Sequence, residues 1–438
     1  MVISLPKMKQ FTVKMRTLSY LENKLLKYID CEETETLLRF QSIETFLDDI
    51  DIIHSLDLYE SFLILIADFS RTRPSQKQLM SKLDTLMILL TEKYQLKTCF
   101  RPSTIFTIFK KNKRMILYLY EHQFIKFSLI QKYFGDDYYF LPELLKFEIT
   151  FIEKKSRIKT LLNASSDYYI VIDQHDEVYH YLNKQKENMV KIVEKRKIGH
   201  VRKKLTKAIY EDNLNEFLKI VTTKNISLNS TIYLGYFEYI PDLRHSSMTL
   251  CEMSMGMGSI NIFRYLWVNK VEISEKSLLY AIIGRNSEII NVLHEESSFK
   301  FNEQCFLKAI EYHYPEIIEY LVNILDYSTE SLIFTLDIVK TNNITLFNHI
   351  LSKHNKDLHL IFKLIFRESK LYQHHAIVIN LLFYSLDDPG IQQCQTINFE
   401  NFYLFYSVYT GNCTLFSNVL KKYTHIDINQ KNKIDSLH

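Results

Sequence analysis

The sequence predicts an all-α protein in which an N-terminal helical domain is followed by a stack of short helical repeats. The 438-residue chain contains only 8 glycines and 7 prolines, the residues that most often interrupt helices. Apolar residues recur three and four positions apart, as in Leu79 to Leu90, which is the spacing of one helix face. From residue 250 onward, similar segments return every 27 to 29 residues. Together these patterns favour helices almost throughout the chain.

Residues 1–160 are expected to form the packed N-terminal domain, and residues 161–204 to form a linker that becomes strongly basic. The stretch 184–207 holds ten Lys and Arg against two Glu, whereas the whole chain has a net charge of only +3. Such a cluster can bind phosphate groups or act as a nuclear address, although a solvated linker has the same composition. The candidate electrostatic patch is Lys195, Arg196, Lys197, Arg202, Lys203 and Lys204.

Residues 205–438 are expected to contain about six to seven helix–turn–helix copies. Four apolar anchors are 27, 28 and 29 positions apart: Ile262, Ile289, Ile317 and Leu346. Eight positions before them are residues that are mostly small, where two helices can approach closely: Ser254, Ala281, Ala309 and Ile338. Four positions before them are the residues at which a left-handed turn should end the first helix: Gly258, Arg285, His313 and Asn342. Because one pair cannot bury its own apolar face, the pairs are expected to stack into a solenoid.

A short helix that ends near a glycine, followed by a helix written I-x-x-x-L, resembles the ankyrin repeat. Thr249 occupies the place of the threonine in that family's T-P-L-H motif, and Glu252 occupies the place of its histidine. NISLNSTI at 225–232 and the insertion that follows are similar to a protist ankyrin family of trichomonad-type organisms, which carries a helical domain of unknown function. The resemblance implies an ankyrin-like solenoid that binds other proteins. The ankyrin period is about 33 residues, whereas the period here is 27 to 29 residues. The β-turn loops between the helix pairs, which are called fingers in ankyrin repeats, should therefore be shortened.

The first connection between repeats carries an insertion. Phe217 and Ile262 are 45 positions apart, so about 17 extra residues fall between Ser230 and Met248. The insertion is too aromatic for a disordered linker. Its rings either cover the first repeat or project as a finger that contacts a partner. The candidate partner-binding residues are Tyr233, Tyr236, Phe237 and Tyr239.

Several classes of function are excluded by what the sequence lacks. Glycine-rich nucleotide sites need several glycines in one turn, and only Gly256 and Gly258 lie close together. The six cysteines are widely separated, which indicates neither a zinc site nor a disulfide framework. Without a catalytic motif, we expect no enzyme activity, cofactor, metal or small-molecule substrate. The longest apolar run, Phe62 to Ala67, is too short to cross a bilayer, and the charged N-terminus is not typical of a signal peptide.

The function expected from the sequence is a non-catalytic protein–protein interaction scaffold or adaptor acting through the solenoid, with another protein as its partner. The location expected is cytoplasmic, with the nucleus as the alternative. A second hypothesis is nucleic-acid or acidic-membrane binding through residues 184–207. Nucleic acid is the less favoured partner because the basic segment lacks interleaved aromatic residues for stacking on bases.

Overall fold

The structure, a computed structural model, describes residues 9–135, 137–140, 142–144, 193, 196, 204–234, 242–243, 247–327, 334–354, 361, 364–365, 376–384, 399–410 and 412–423. These residues are almost entirely helical, with a single short hairpin, which confirms the predicted all-α class. The chain divides into two compact units, the first formed by residues 1–109 and 301–438 and the second by residues 110–300. The predicted linker, residues 161–204, lies almost wholly outside the described residues.

The helices are numbered in chain order. The N-terminal helices are α1 (Lys9–Asp30), α2 (Thr36–Asp49), α3 (Leu56–Phe69), α4 (Leu79–Glu92), α5 (Leu96–Cys99) and α6 (Pro102–Phe109). The second unit contains α7 (Lys113–Glu121), α8 (Phe127–Phe134), α9 (Lys204–Tyr210), α10 (Leu214–Thr223), α11 (Leu250–Met257), α12 (Ile260–Val268), α13 (Ser277–Gly284) and α14 (Ser287–Glu296). The chain continues with α15 (Glu303–Glu311), α16 (Pro315–Leu325), α17 (Thr335–Lys340), α18 (Ile344–Lys353), α19 (Ile377–Phe383), α20 (Phe399–Thr410) and α21 (Cys413–Lys422).

Three successive helix pairs of the second unit pack in the same way. The first helices α9, α11 and α13 pack on one another in chain order, and the second helices α10, α12 and α14 do the same. Ser254 and Ala281, at the predicted small position, are fully buried between first helices. Small side chains are needed there because the two backbones approach closely, as the sequence predicted.

The turn between the two helices of a pair is left-handed at every predicted position that the structure describes. Positive φ angles occur at Gly258 (69°), Arg285 (57°), His313 (52°) and Asn342 (57°), so the predicted spacing of 27, 28 and 29 residues is confirmed. Asp212, with φ of 52°, begins the series 46 positions before Gly258. By this alignment Phe217 corresponds to Phe263 and not to Ile262, so the insertion is one residue longer than the anchors indicated. Phe217 and Phe263 are both fully buried, as expected of residues at the same position of two repeats.

Asparagine side chains start many of the second helices. The carboxamide oxygen of Asn286 accepts hydrogen bonds from the backbone N–H groups of Glu288 and Ile289. Asn343 and Asn412 cap α18 and α21 in the same way. A left-handed residue followed by an N-cap asparagine therefore forms the tight turn of the pair.

The ends of the insertion form a two-stranded antiparallel sheet. Strand β1 (Thr231–Tyr233) pairs with β2 (Ser247–Thr249), with Thr231 opposite Thr249. The chain then enters α11 through a capping box. Thr249 Oγ1 accepts from the Glu252 N–H at 3.1 Å, and Glu252 Oε2 accepts from the Thr249 N–H at 2.8 Å. Glu252 also accepts from Ser277 Oγ at 2.8 Å, which links two neighbouring first helices.

The first unit combines helices from both ends of the chain in one core. Helix α1 packs against α2, α3 and α4 and also along α18 and α19. Helix α3 is buried on nearly all sides and packs against α6 and α19. The pair α15–α16 packs on the pair α17–α18 through contacts between α15 and α17. Ala309 and Ile338, at the predicted small position, are buried.

Candidate functional site

The predicted aromatic site is only partly described. Tyr233 lies in β1, where its backbone pairs with Ser247. The other three residues, Tyr236, Phe237 and Tyr239, lie outside the described residues. The structure therefore places the base of the insertion, and the two hypotheses for its rings remain predictions.

In the predicted basic patch, Arg196 is turned into the protein. Its guanidinium forms two hydrogen bonds with the Glu143 carboxylate, at 2.7 and 2.9 Å, and a third with the Tyr139 carbonyl oxygen at 2.9 Å. Arg196 and Glu143 are both buried, so this charge is neutralised within the second unit. Lys204 begins α9 and is exposed. The other members of the patch lie outside the described residues: Lys195, Lys197, Arg202 and Lys203.

A buried polar cluster in the first unit was not expected from the sequence. Its centre is Glu22 on α1, whose Oε1 lies 2.6 Å from Nδ1 of His313. The other carboxylate oxygen accepts from the backbone N–H and the hydroxyl of Thr345, at 2.6 and 2.7 Å. Thr345 is in the first turn of α18, where unpaired N–H groups and the helix dipole favour a negative charge. Glu22 therefore connects α1 to the start of α18 and to the turn at His313 in the preceding helix pair.

The side chain of His313 is fully engaged in this cluster. Its Nε2 lies 2.9 Å from the Thr341 carbonyl oxygen, which can only accept, so Nε2 donates. The ring also packs at nearly a right angle to the Phe69 ring, with 4.8 Å between the ring centroids. His313 is 2% exposed, and both its ring nitrogens have partners. A substrate would find no open nitrogen on this ring.

Two other carboxylates from the N-terminal helices reach the turns of the C-terminal helix pairs. Asp68 accepts from the Asn342 side chain at 2.8 Å, and Asn342 in turn accepts from the Ile377 N–H at 2.8 Å. Glu60 accepts from the Asn412 side chain at 2.5 Å. Burial raises the pKa of Glu60 to about 7, against the opposing effect of the Asn412 hydrogen bond. The three acids thus contact three different turns.

An open groove of about 360 Å³ lies beside the Glu22–His313 cluster, between α1, α16 and α18. Its walls are aliphatic and come from all three helices: Leu26, Ile318, Val322 and Leu346. Its polar lining consists of the cluster residues Glu22, His313 and Thr345 with Asn343, and of Asn23, Glu319 and His349.

Glu22, His313, Asn343 and Thr345, which line the groove, already have hydrogen-bond partners within the protein. Asn343 donates to the Ile310 carbonyl oxygen at 3.1 Å and accepts from the Leu346 N–H at 3.1 Å. Thr345 and His313 are bonded to Glu22. What the groove offers to a ligand is therefore chiefly apolar surface.

The described residues contain neither a helix that could span a membrane nor a cluster of metal-binding side chains. None of the helices among the described residues is both long enough and apolar enough to span a lipid bilayer. In the same part of the chain, no group of three or more His, Cys, Asp or Glu side chains is arranged to hold a metal ion.

Part of the chain matches a known protein family. The family described as "Domain of unknown function (DUF3447)" matches residues 268–362, which are 95 of the 438 residues. This segment contains the helices α13 to α18. No curated protein matches the chain. No solved structure matches it either. The predicted kinship with the ankyrin repeat therefore remains a prediction.

Proposed function

We propose that the protein is a non-catalytic interaction protein, a scaffold or adaptor that binds another protein through its helix pairs. The observation that carries the proposal is the groove between α1, α16 and α18. Pockets for small polar substrates combine apolar walls with a few convergent polar groups that are free to bind. Here Glu22, His313 and Thr345 are bonded to one another, and Asn343 is bonded to the backbone. The groove suits an aliphatic side chain on an amphipathic helix of a partner protein.

A finer part of the proposal is that the helix pairs form an ankyrin-like solenoid. It is supported by the left-handed turns at intervals of 27 to 29 residues and by the packing of first helices on first helices. A cytoplasmic location belongs to the same proposal. It is supported by the wide spacing of the six cysteines along the sequence, which indicates no disulfide framework, because disulfides are rare in reducing compartments.

The alternative, nucleic-acid or acidic-membrane binding through residues 184–207, has less support. Arg196 forms a buried ion pair with the Glu143 carboxylate and is therefore unavailable to a phosphate. Binding through the remaining basic residues would weaken steeply as salt rises.

The test is capture of partners from native extract with three baits: the wild type, Val322→Glu in the groove, and Val268→Glu as a matched control. Val268 is 77% exposed on α12, so the same substitution there should disturb neither fold nor groove. We expect a partner that is retained by the wild type and the control in high salt and lost by Val322→Glu, with all baits equally helical. A partner that Val322→Glu retains would refute the groove. A partner that is lost only as salt rises would favour the basic segment.

A further inference from the structure

Glu60 occupies an unusual place in the first unit. It lies in the second turn of α3 and is 3% exposed. Its Oε1 accepts from the side-chain amide of Asn412 at 2.5 Å and lies 3.4 Å from that of Asn380. Asn412 is the N-cap of α21, and Asn380 is in α19. These three residues form the Glu60 contact, which joins an N-terminal helix to two helices near the other end of the chain.

No cation balances this carboxyl group among the described residues. Its amide partners are neutral, and the charged group that faces it on α3 is Asp57, which is paired with Lys14 of α1 at 2.5 Å. The titratable groups that face it from the C-terminal helices are Tyr384 and Tyr406. Burial is the main cause that raises the pKa of both hydroxyls, and the Glu60 charge raises it further, so both stay neutral. An ionised Glu60 would be a buried charge without a counter-charge, which is costly.

A second observation also indicates a proton at this place. The Oδ1 atom of Asn380 is buried and has no hydrogen bond among the described residues. It needs a donor, and a protonated carboxyl group supplies one that a rotation of the Asn380 amide would bring into reach. An ionised carboxylate can only accept and leaves this oxygen unpaired.

We propose that the Glu60 contact is a proton-controlled connection: protonated Glu60 holds α19 and α21 on α3, and ionisation of Glu60 loosens them. The pKa of Glu60 is consistent with this, because burial raises it from 4.5 to about 7 and the charge of Asp57 acts in the same direction. Acidification therefore strengthens the contact.

The direction of the pH dependence follows from the two states of the carboxyl group. Below its ordinary pKa, Glu60 is protonated whether α19 and α21 are docked or detached. As the pH rises from 4.5 to about 7, the detached state loses its proton first, so the equilibrium constant for detachment rises by up to about tenfold per pH unit. Above pH 7 both states are ionised, and the dependence levels off.

The experiment is hydrogen–deuterium exchange of the full chain from about pH 5 to about pH 9, corrected for the intrinsic effect of pH on exchange. The wild type is compared with Glu60→Gln, an isostere that cannot ionise. In the wild type, we expect α19 and α21 to lose protection up to about pH 7, while α11 to α14 of the second unit do not. In Glu60→Gln, α19 and α21 should stay protected, so at pH 8 the variant should be the better protected protein.

Equal pH profiles of the wild type and Glu60→Gln would overturn the proposal. If Glu60→Gln does not fold, Glu60→Met provides a second non-ionising variant with a similar length. The wild type alone is also decisive, because unchanged relative protection of α19 and α21 across the range refutes a proton-controlled contact.

Discussion

Among the glycines that the structure describes at the ends of α11 and α13, Gly284 should be the least replaceable. It ends α13, and a Cβ atom placed on it would lie 1.8 Å from the carbonyl oxygen of Met255 and 2.9 Å from the backbone nitrogen of Gly258. Both neighbours are backbone atoms at the end of α11, so they cannot move aside as a flexible side chain would. Gly284→Ala must therefore separate two first helices by more than about 1 Å, and the loss of packing should be at the upper end of the usual range.

The magnitude follows from two opposing effects. Alanine is favoured over glycine in a helix by about 1 kcal/mol. Overpacking costs about 1 to 3 kcal/mol and occasionally more, and a backbone clash of this severity should reach about 4 kcal/mol. We expect Gly284→Ala to lower the free energy of unfolding by about 3 kcal/mol.

Gly256→Ala is the matched control. A Cβ at this helical position would meet Leu243 Cδ2 at 3.6 Å and Tyr280 Cδ1 at 3.7 Å, which are ordinary contacts. Helix propensity then dominates, and Gly256→Ala should stabilise the unit by about 0.5 to 1 kcal/mol. Urea unfolding followed by the fluorescence of Trp267, the one tryptophan of the chain and part of the same unit, measures both variants. The reasoning is refuted if Gly284→Ala is as stable as the wild type.

Three further substitutions test other contacts. Ala309→Leu should overpack the contact between α15 and α17 and cost about 1 to 3 kcal/mol, and an unchanged melting temperature would show that the repeat alignment is wrong. Thr249→Ala removes the hydroxyl of the capping box and should cost about 1 kcal/mol in urea unfolding; no loss would mean that the cap does not stabilise α11. Glu143→Leu leaves the Arg196 charge buried without its partner and should cost about 3 to 5 kcal/mol, most of which the double variant with Arg196→Met should recover.

The features that the sequence predicted correctly depend on local spacing. Apolar periodicity indicates the helices, and the 27- to 29-residue repetition located the left-handed turns even at Arg285 and His313, where the residue type alone would not suggest one. The capping box at Thr249 is also a local feature, because the T-x-x-E pattern specifies it. The sequence comparison missed this cap, since it treated Glu252 only as the residue at the place of the ankyrin histidine.

The buried acids could not be placed from the sequence because their partners are distant along the chain. Glu22 and His313 are 291 positions apart, and Glu60 and Asn412 are 352 apart. A partial signal was present in α3, where Glu60 interrupts an otherwise almost continuous apolar segment. A carboxyl group in such a segment must find polar partners somewhere, but which turn supplies them is decided only by the packing of α1 and α3 on the later helices.

The three acid–turn contacts of the first unit limit how this protein can evolve. Arrays of helix pairs commonly gain or lose whole units, because each unit contacts only its neighbours. Here Glu22 contacts the turn at His313, Asp68 the turn at Asn342, and Glu60 the turn at Asn412. Duplication or deletion of one pair would bring each later turn opposite the wrong acid and would leave the buried Glu22 or Glu60 carboxyl group without its partner. The N-terminal helices therefore fix the number of pairs that this unit can contain.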